Sequence, residues 1–246
     1  MQSPFAFQPD QPVTQIGSVF GTPLAVQGWN WLPLNQLVVW GLFTGQSAKK
    51  HTHWSWPQHT LLGALKMIVF LGSEWCHNFA HVVAARLVGK PVDGMRILLG
   101  MPVLIYNEPE HPSITPRQHI LRSIAGPLCN GCLLLFSKLC QRFTPHGSPA
   151  REVADTAVGM NTFISTASLL PVPVFDGGPI LKWSLIGSGQ SPEQAAKTAA
   201  TTQKVVGAGL FGSALVAFRK RRWFLTIILA FLSILSLLTG FGKIRS

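Results

Sequence analysis

Residues 61–88 read LLGALKMIVFLGSEWCHNFAHVVAARLV. A run this long and this apolar reads as a membrane helix, because about 20 such residues cross the hydrocarbon of a bilayer. Its middle holds Glu74, His77, Asn78 and His81. Ionisable groups at membrane depth cost about 2.5 kcal/mol or more on insertion scales, so their default reading is functional. Residues four apart on a helix share one face, roughly 6 Å from one another. His77 and His81 can therefore offer imidazole nitrogens to a single ion at the zinc distance of about 2.0–2.1 Å. The competing reading is two helix histidines satisfied by their neighbours.

Working outward, the chain supplies one more acid in apolar surroundings. Asp176 lies in residues 169–179, LLPVPVFDGGP, where the prolines and glycines break regular helix. The remaining acids, among them Asp93, Glu152, Asp155 and Glu193, sit in loops or at segment edges. Two imidazoles and one carboxylate match the three protein ligands that a catalytic zinc takes beside water. Irregular backbone at membrane depth is tolerated where it lines a cavity or is buried in protein.

Other apolar segments run over residues 29–45, 120–140, 154–170, 205–218 and 223–241. With the 61–88 run they predict an all-α polytopic membrane protein of about six transmembrane helices. Short β elements at the membrane surface are expected at 16–27 and 95–106, and polar loops at 49–60 and 187–204. The expected division is an N-terminal tail and strand over 1–30, a transmembrane core over 31–187, and a closing pair of segments over 188–246. Residues 1–12 lack the basic and apolar regions of a signal peptide.

Charge fits this picture. Only 12% of residues are charged, the mean hydropathy is +0.30, and the formal net charge is +11. The basic residues are scattered between apolar segments, which suits loops facing lipid headgroups and not nucleic acid. Their numbers balance on the two sides of a six-crossing topology, so they set no orientation. Cys129 and Cys132 form a C-x-x-C without a second ligand pair, and read as small residues of a packed membrane helix.

Four stretches together resemble the site-2 protease family. His77-Asn-Phe-Ala-His81 is similar to H-E-x-x-H with its second position changed. Ala125-Gly-Pro-Leu-Cys-Asn130 resembles the A-G-P-x-x-N of the family's next core helix, and residues 169–178 resemble its L-L-P-x-P-x-x-D-G-G. Residues 20–26, FGTPLAV, are similar to its N-terminal strand. The resemblance implies a three-helix core around one intramembrane Zn2+ per chain, ligated by His77, His81 and Asp176. It also implies a substrate site that includes Asn130, Pro171 and Gly177. Family substrates are membrane-anchored proteins cut within a helix.

The chain departs from the family at Asn78, which replaces the glutamate that serves as general base. A carboxamide hydrogen-bonds water but does not take its proton near neutral pH. General acid–base catalysis contributes about 10²–10⁴-fold, so peptidase activity is expected to be severely impaired. Glu74, one turn earlier on the same face, is the one candidate substitute base; its alternatives are a ligand or a partner of a ligand histidine. Ser168 stands where the family often has Asn. The sequence thus favours a zinc-binding protein that is catalytically impaired, a pseudoprotease that binds lipid and a transmembrane segment or partner in a regulatory or assembly role. An active intramembrane metalloendopeptidase, and a structural subunit whose metal site has decayed, are the rivals.

Overall fold

The computed structural model describes residues 13–107, 113–172 and 174–243. The tail before Val13 and Pro173 of the proline-rich break lie outside them. Four strands and seven α-helices account for most of the described residues. The chain is mostly helical, with one small mixed sheet.

Strands β1 (Val13–Val19) and β2 (Thr22–Gln27) form an antiparallel hairpin. Phe20 and Gly21 turn it with φ of 47° and 71°, the doubly left-handed geometry that matches strand twist in two-residue hairpins. Strands β3 (Gly94–Leu98) and β4 (Met101–Ile105) form a second hairpin. β2 and β3 join the two in parallel, with Ala25 opposite Arg96, giving the order β1-β2-β3-β4. A 3-10 turn over Gly28–Trp31 leads on to α1 (Leu34–Lys50), and α2 follows as Trp56–Leu87. Both expected β regions therefore form, and the 61–88 run is a single helix.

The sheet is fastened to α2. Met95 of β3 is fully buried with Val82 and Ala85 of α2 and with Val92, and Leu24, Trp75, Phe79 and Leu104 pack around them. α1 approaches α2 closely, since a Cβ on Gly63 would meet the backbone nitrogen of Thr44 at 2.8 Å. The start of α1 is pinned to the second hairpin, where Gln36 Nε2 donates to the Gly100 carbonyl at 2.6 Å.

The other helices are α3 (Pro116–Phe143), α4 (Pro149–Ala167), α5 (Gly177–Gly187), α6 (Pro192–Arg219) and α7 (Trp223–Gly240). Two expectations change here. The breakers around Asp176 end one helix but start another, because α5 begins at Gly177 and Pro179 falls in its first turn, where a missing N–H is tolerated. The polar stretch expected as a loop over 187–204 is mostly the first turns of α6, nucleated by a capping box between Ser191 and Gln194.

The chain divides into two compact units. One comprises Phe7–Pro112 with Ala125–Thr166; the other includes Ser113–Ile124 and Ala167–Ser246. In the second unit α6 and α7 pack through small residues. Ser233 Oγ donates to the Gly207 carbonyl at 2.8 Å and Ser236 Oγ to the Gln203 carbonyl at 2.7 Å. A Cβ on Gly240 would meet the Ala200 carbonyl oxygen at 3.0 Å. Close backbone approach with hydroxyl-to-carbonyl bonds is the packing that helices use in lipid. Two described helices, α3 and α7, are long and apolar enough to cross a membrane by length and composition.

Candidate metal centre

α2 carries His77 and His81 one turn apart, 7% and 6% exposed. Their Nε2 atoms lie 3.1 Å from each other, and the rings meet at 79°. Two zinc–nitrogen bonds of about 2.0–2.1 Å at a tetrahedral angle need nitrogens roughly 3.3 Å apart. The pair therefore already has the spacing of two ligands to one ion.

Gly126 of α3 lies against the pair. A Cβ there would collide with His81 Nε2 and come within 2.6 Å of His77 Nε2. The backbone of α3 thus packs directly against both imidazoles, and any side chain at this position would collide with them. Pro127 follows inside the same helix, so the Ala-Gly-Pro stretch gives α3 both a missing side chain and a missing N–H. The residues present fit a zinc ion: two imidazole donors on one helix face, with their Nε2 atoms 3.1 Å apart.

Behind the pair, His77 Nδ1 lies 2.7 Å from Asn130 Oδ1. Asn130, from α3, is fully buried. The third member of the motif behaves differently from the histidines. Asn78 Nδ2 donates to the Glu74 carbonyl at 3.0 Å and to Glu74 Oε1 at 3.2 Å. The carboxamide at the position of the expected base is therefore held by the one acid beside it. Glu74 is half-buried.

Asp176, Pro171 and Gly177 belong to the other compact unit. Asp176 stands at the start of α5 with helical φ and ψ, and its side chain does not cap that helix. The turns before it are tight, with Val172 N–H to the Leu170 carbonyl at 2.7 Å and Gly177 N–H to the Ser168 carbonyl at 2.8 Å. A Cβ on Gly177 would run into the Leu169 carbonyl, so the break closes only with glycine there. Ser168 Oγ is buried and meets no hydrogen-bond partner among the described residues.

Two groups of residues escaped the sequence reading. Asn161 of α4 is 2% exposed and bonds to Asn130 at 2.8 Å. Its only sequence signal is an amide inside an apolar segment. Glu152, taken as a segment-edge acid, is buried against Lys50 at 2.8 Å and His51 at 2.6 Å. Burial pushes its carboxyl up, but hydrogen bonds and charge from Lys50 and His51 push it down further, and the balance lies below the ordinary glutamate value.

No family model matches the chain. A sequence relative is a protein of Methanocaldococcus jannaschii assigned as a zinc metalloprotease, MJ0611. It is 27% identical over 150 aligned residues, covering 53% of this chain and 76% of the relative. Among solved structures, the site-2 protease from Methanocaldococcus jannaschii matches with a TM-score of 0.53 at 16% identity, covering 96% of both chains. The solved structure gives the fold and the relative gives the sequence kinship. The chain therefore has the fold of that site-2 protease and is similar in sequence, over about half its length, to the assigned zinc metalloprotease.

Proposed function

We propose that this chain is a multi-pass membrane protein that holds one zinc ion through His77, His81 and Asp176. It is impaired as a peptidase and uses the retained scaffold to bind a transmembrane segment or partner in a regulatory or assembly role. The observation that carries the reading is the contrast within one helix turn. The imidazole pair keeps ligand spacing, while Asn78 between them is a carboxamide tied to Glu74. Zinc bound there would supply a Lewis acid to polarise a carbonyl or water. Asn78 cannot take up the proton which that chemistry releases.

Multiple crossings are supported by apolar faces turned outward on several helices. Leu37, Val38 and Leu42 of α1, Leu61, Leu65 and Ile68 of α2, and Phe224, Ile227 and Phe231 of α7 are all exposed. Patches of this kind need a partner or a bilayer to cover them. Lys and Arg between the segments suit anionic headgroups.

Metal analysis of detergent-purified protein tests the reading. About one zinc per chain, absent from His77→Ala, is expected. No metal in the wild type would overturn it. A model membrane-anchored substrate is expected to stay uncut by the wild type, and Asn78→Glu to cut it while metal content is unchanged.

A second reading, an active peptidase with Glu74 as base, draws on the position of Glu74 Oε1 beside Asn78. Cleavage by the wild type that is lost in both Glu74→Ala and His77→Ala would establish that reading in place of the first.

A further inference from the structure

His77 can bind an ion through Nε2 only when its proton sits on Nδ1, and a free imidazole exchanges between the two tautomers. The chain contains a device that removes the choice. Asn161 Nδ2 donates to the Ala157 carbonyl at 2.9 Å. A carbonyl accepts and never donates, so this bond fixes which end of the Asn161 amide is nitrogen. The other end, Oδ1, then faces Asn130 Nδ2 at 2.8 Å. Asn130 Nδ2 also donates to the Ser73 carbonyl at 3.2 Å, a longer bond that supports the same direction without fixing it alone. With both protons of Asn130 committed, its Oδ1 must be the atom at 2.7 Å from His77 Nδ1. An oxygen there accepts, so Nδ1 carries the proton and Nε2, 3.1 Å from His81 Nε2, keeps its lone pair.

We infer that Asn161 is a positioning residue for this site: through Asn130 it locks His77 in the Nδ1–H tautomer and so prepares Nε2 as a metal donor. The direction of the chain of amides is set by two helix carbonyls, those of Ala157 and Ser73, and therefore by the packing of α2, α3 and α4. Asn161 touches no reacting atom; it acts through Asn130. Outer partners of a ligand histidine characteristically tune metal affinity by about 10–100-fold. The affinity part of the inference rests on the zinc reading above, and the tautomer part does not.

Asn161→Thr separates the two bonds. Thr156 and Thr162 of the same helix already donate to the carbonyls four residues back, at 2.8 and 2.7 Å, so a threonine at 161 keeps the Ala157 bond. Its hydroxyl is too short to continue to Asn130. Asn161→Asp keeps an oxygen facing Asn130 and is the rescue variant. The first readout is long-range nitrogen–proton NMR of metal-free, histidine-labelled protein in detergent, with His77 assigned by its loss in His77→Gln. Wild type is expected to show the Nδ1–H tautomer alone, and Asn161→Thr a mixture. The second readout is zinc affinity by chelator competition, expected to weaken about 10–100-fold in Asn161→Thr and to return in Asn161→Asp. A single Nδ1–H tautomer and unchanged affinity in folded Asn161→Thr would overturn the inference and leave the zinc reading standing. Wild type that binds no zinc, yet shows the tautomer lock and loses it in Asn161→Thr, would overturn the zinc reading and uphold the lock.

Discussion

Two buried polar clusters lie in the same compact unit, and they are built on opposite principles. The first, His77, His81, Asn130 and Asn161, joins α2, α3 and α4 through amides and imidazoles whose bonds run one way and end at the paired Nε2 atoms, 3.1 Å apart. The second joins α1, α2 and α4 through charge. Glu152 meets Lys50 and His51, and Lys66 donates to Gln46 at 2.6 Å and lies 3.9 Å from Glu152. Lys66 also stands over the Phe43 ring at 4.8 Å, and Ser47 bonds to His59 at 3.0 Å. The ionic cluster closes on itself. The neutral one ends at the imidazole pair, where the proposed ion would bind.

The sharpest way to break this comparison is to remove the charge at the centre of the closed cluster. Glu152→Leu leaves Lys66 and His51 without their acid, and stripping one partner from a buried ion pair costs roughly 3 kcal/mol or more. Denaturation in detergent should show that loss, while folded protein keeps its zinc. If stability were unchanged, the cluster would not be a latch between helices.

The mirror experiment is Gly126→Ala at the open cluster. The added methyl would collide with His81 Nε2 and lie 2.6 Å from His77 Nε2, displacing both rings. Metal content is expected to fall to near zero, with an overpacking cost of about 1–3 kcal/mol. Full zinc occupancy in this variant would mean that the ion does not sit between His77 and His81. The pair of variants thus separates fold from metal: one loses more stability and keeps the ion, the other loses less and gives up the ion.

Acid distinguishes the clusters as well. The Glu152 carboxyl titrates below its ordinary value of about 4.3, because hydrogen bonds and charge from Lys50 and His51 outweigh burial. A depressed carboxyl binds more protons when unfolded, so its contribution is fully present above the unfolded value and disappears as pH falls through the folded one. Stability should therefore drop as the pH goes below about 4.3, and Glu152→Gln should flatten that part of the profile. A profile identical to wild type would remove Glu152 as the group responsible.

What the sequence revealed follows from range. The His77–His81 pair is local to one helix turn, and the two hairpins carry their turns in Phe20-Gly21 and Leu99-Gly100, so periodicity and turn chemistry expose them. Asn130 entered through a motif. Asn161 and Glu152 owe their roles to partners 31 and 101 residues away, and nothing next to either in the chain marks it as more than a polar residue near an apolar run. The same limit applies to crossings: α1, α2, α4 and α6 mix polar and apolar positions, and α3 and α7 alone among the described helices are apolar along a span-length window.

One misreading was avoidable, and it provides the mildest test. Residues 187–204 look like a loop because Gly, Ser, Gln and Thr dominate them. Yet Ser191-Pro-Glu-Gln194 is a capping box with proline in the first turn. Ser55-Trp-Pro-Gln58 and Thr115-Pro-Arg-Gln118 repeat the arrangement at α2 and α3, with Ser55 N–H to Gln58 Oε1 at 2.9 Å and Thr115 N–H to Gln118 Oε1 at 2.8 Å. Ser191 Oγ accepts from the Gln194 N–H at 3.3 Å, and Gln194 Oε1 accepts from the Ser191 N–H at 3.0 Å. Ser191→Ala removes one of these bonds at an exposed helix start and should cost about 1 kcal/mol. Hydrogen exchange ought to speed up only in the first turns of α6, leaving the α6–α7 contact around Gly207 and Ser233 protected. Exchange that rose along all of α6 would mean that the polar turns and the packed segment fold as one unit. In that case the cap holds the whole helix hairpin and not merely its frayed end.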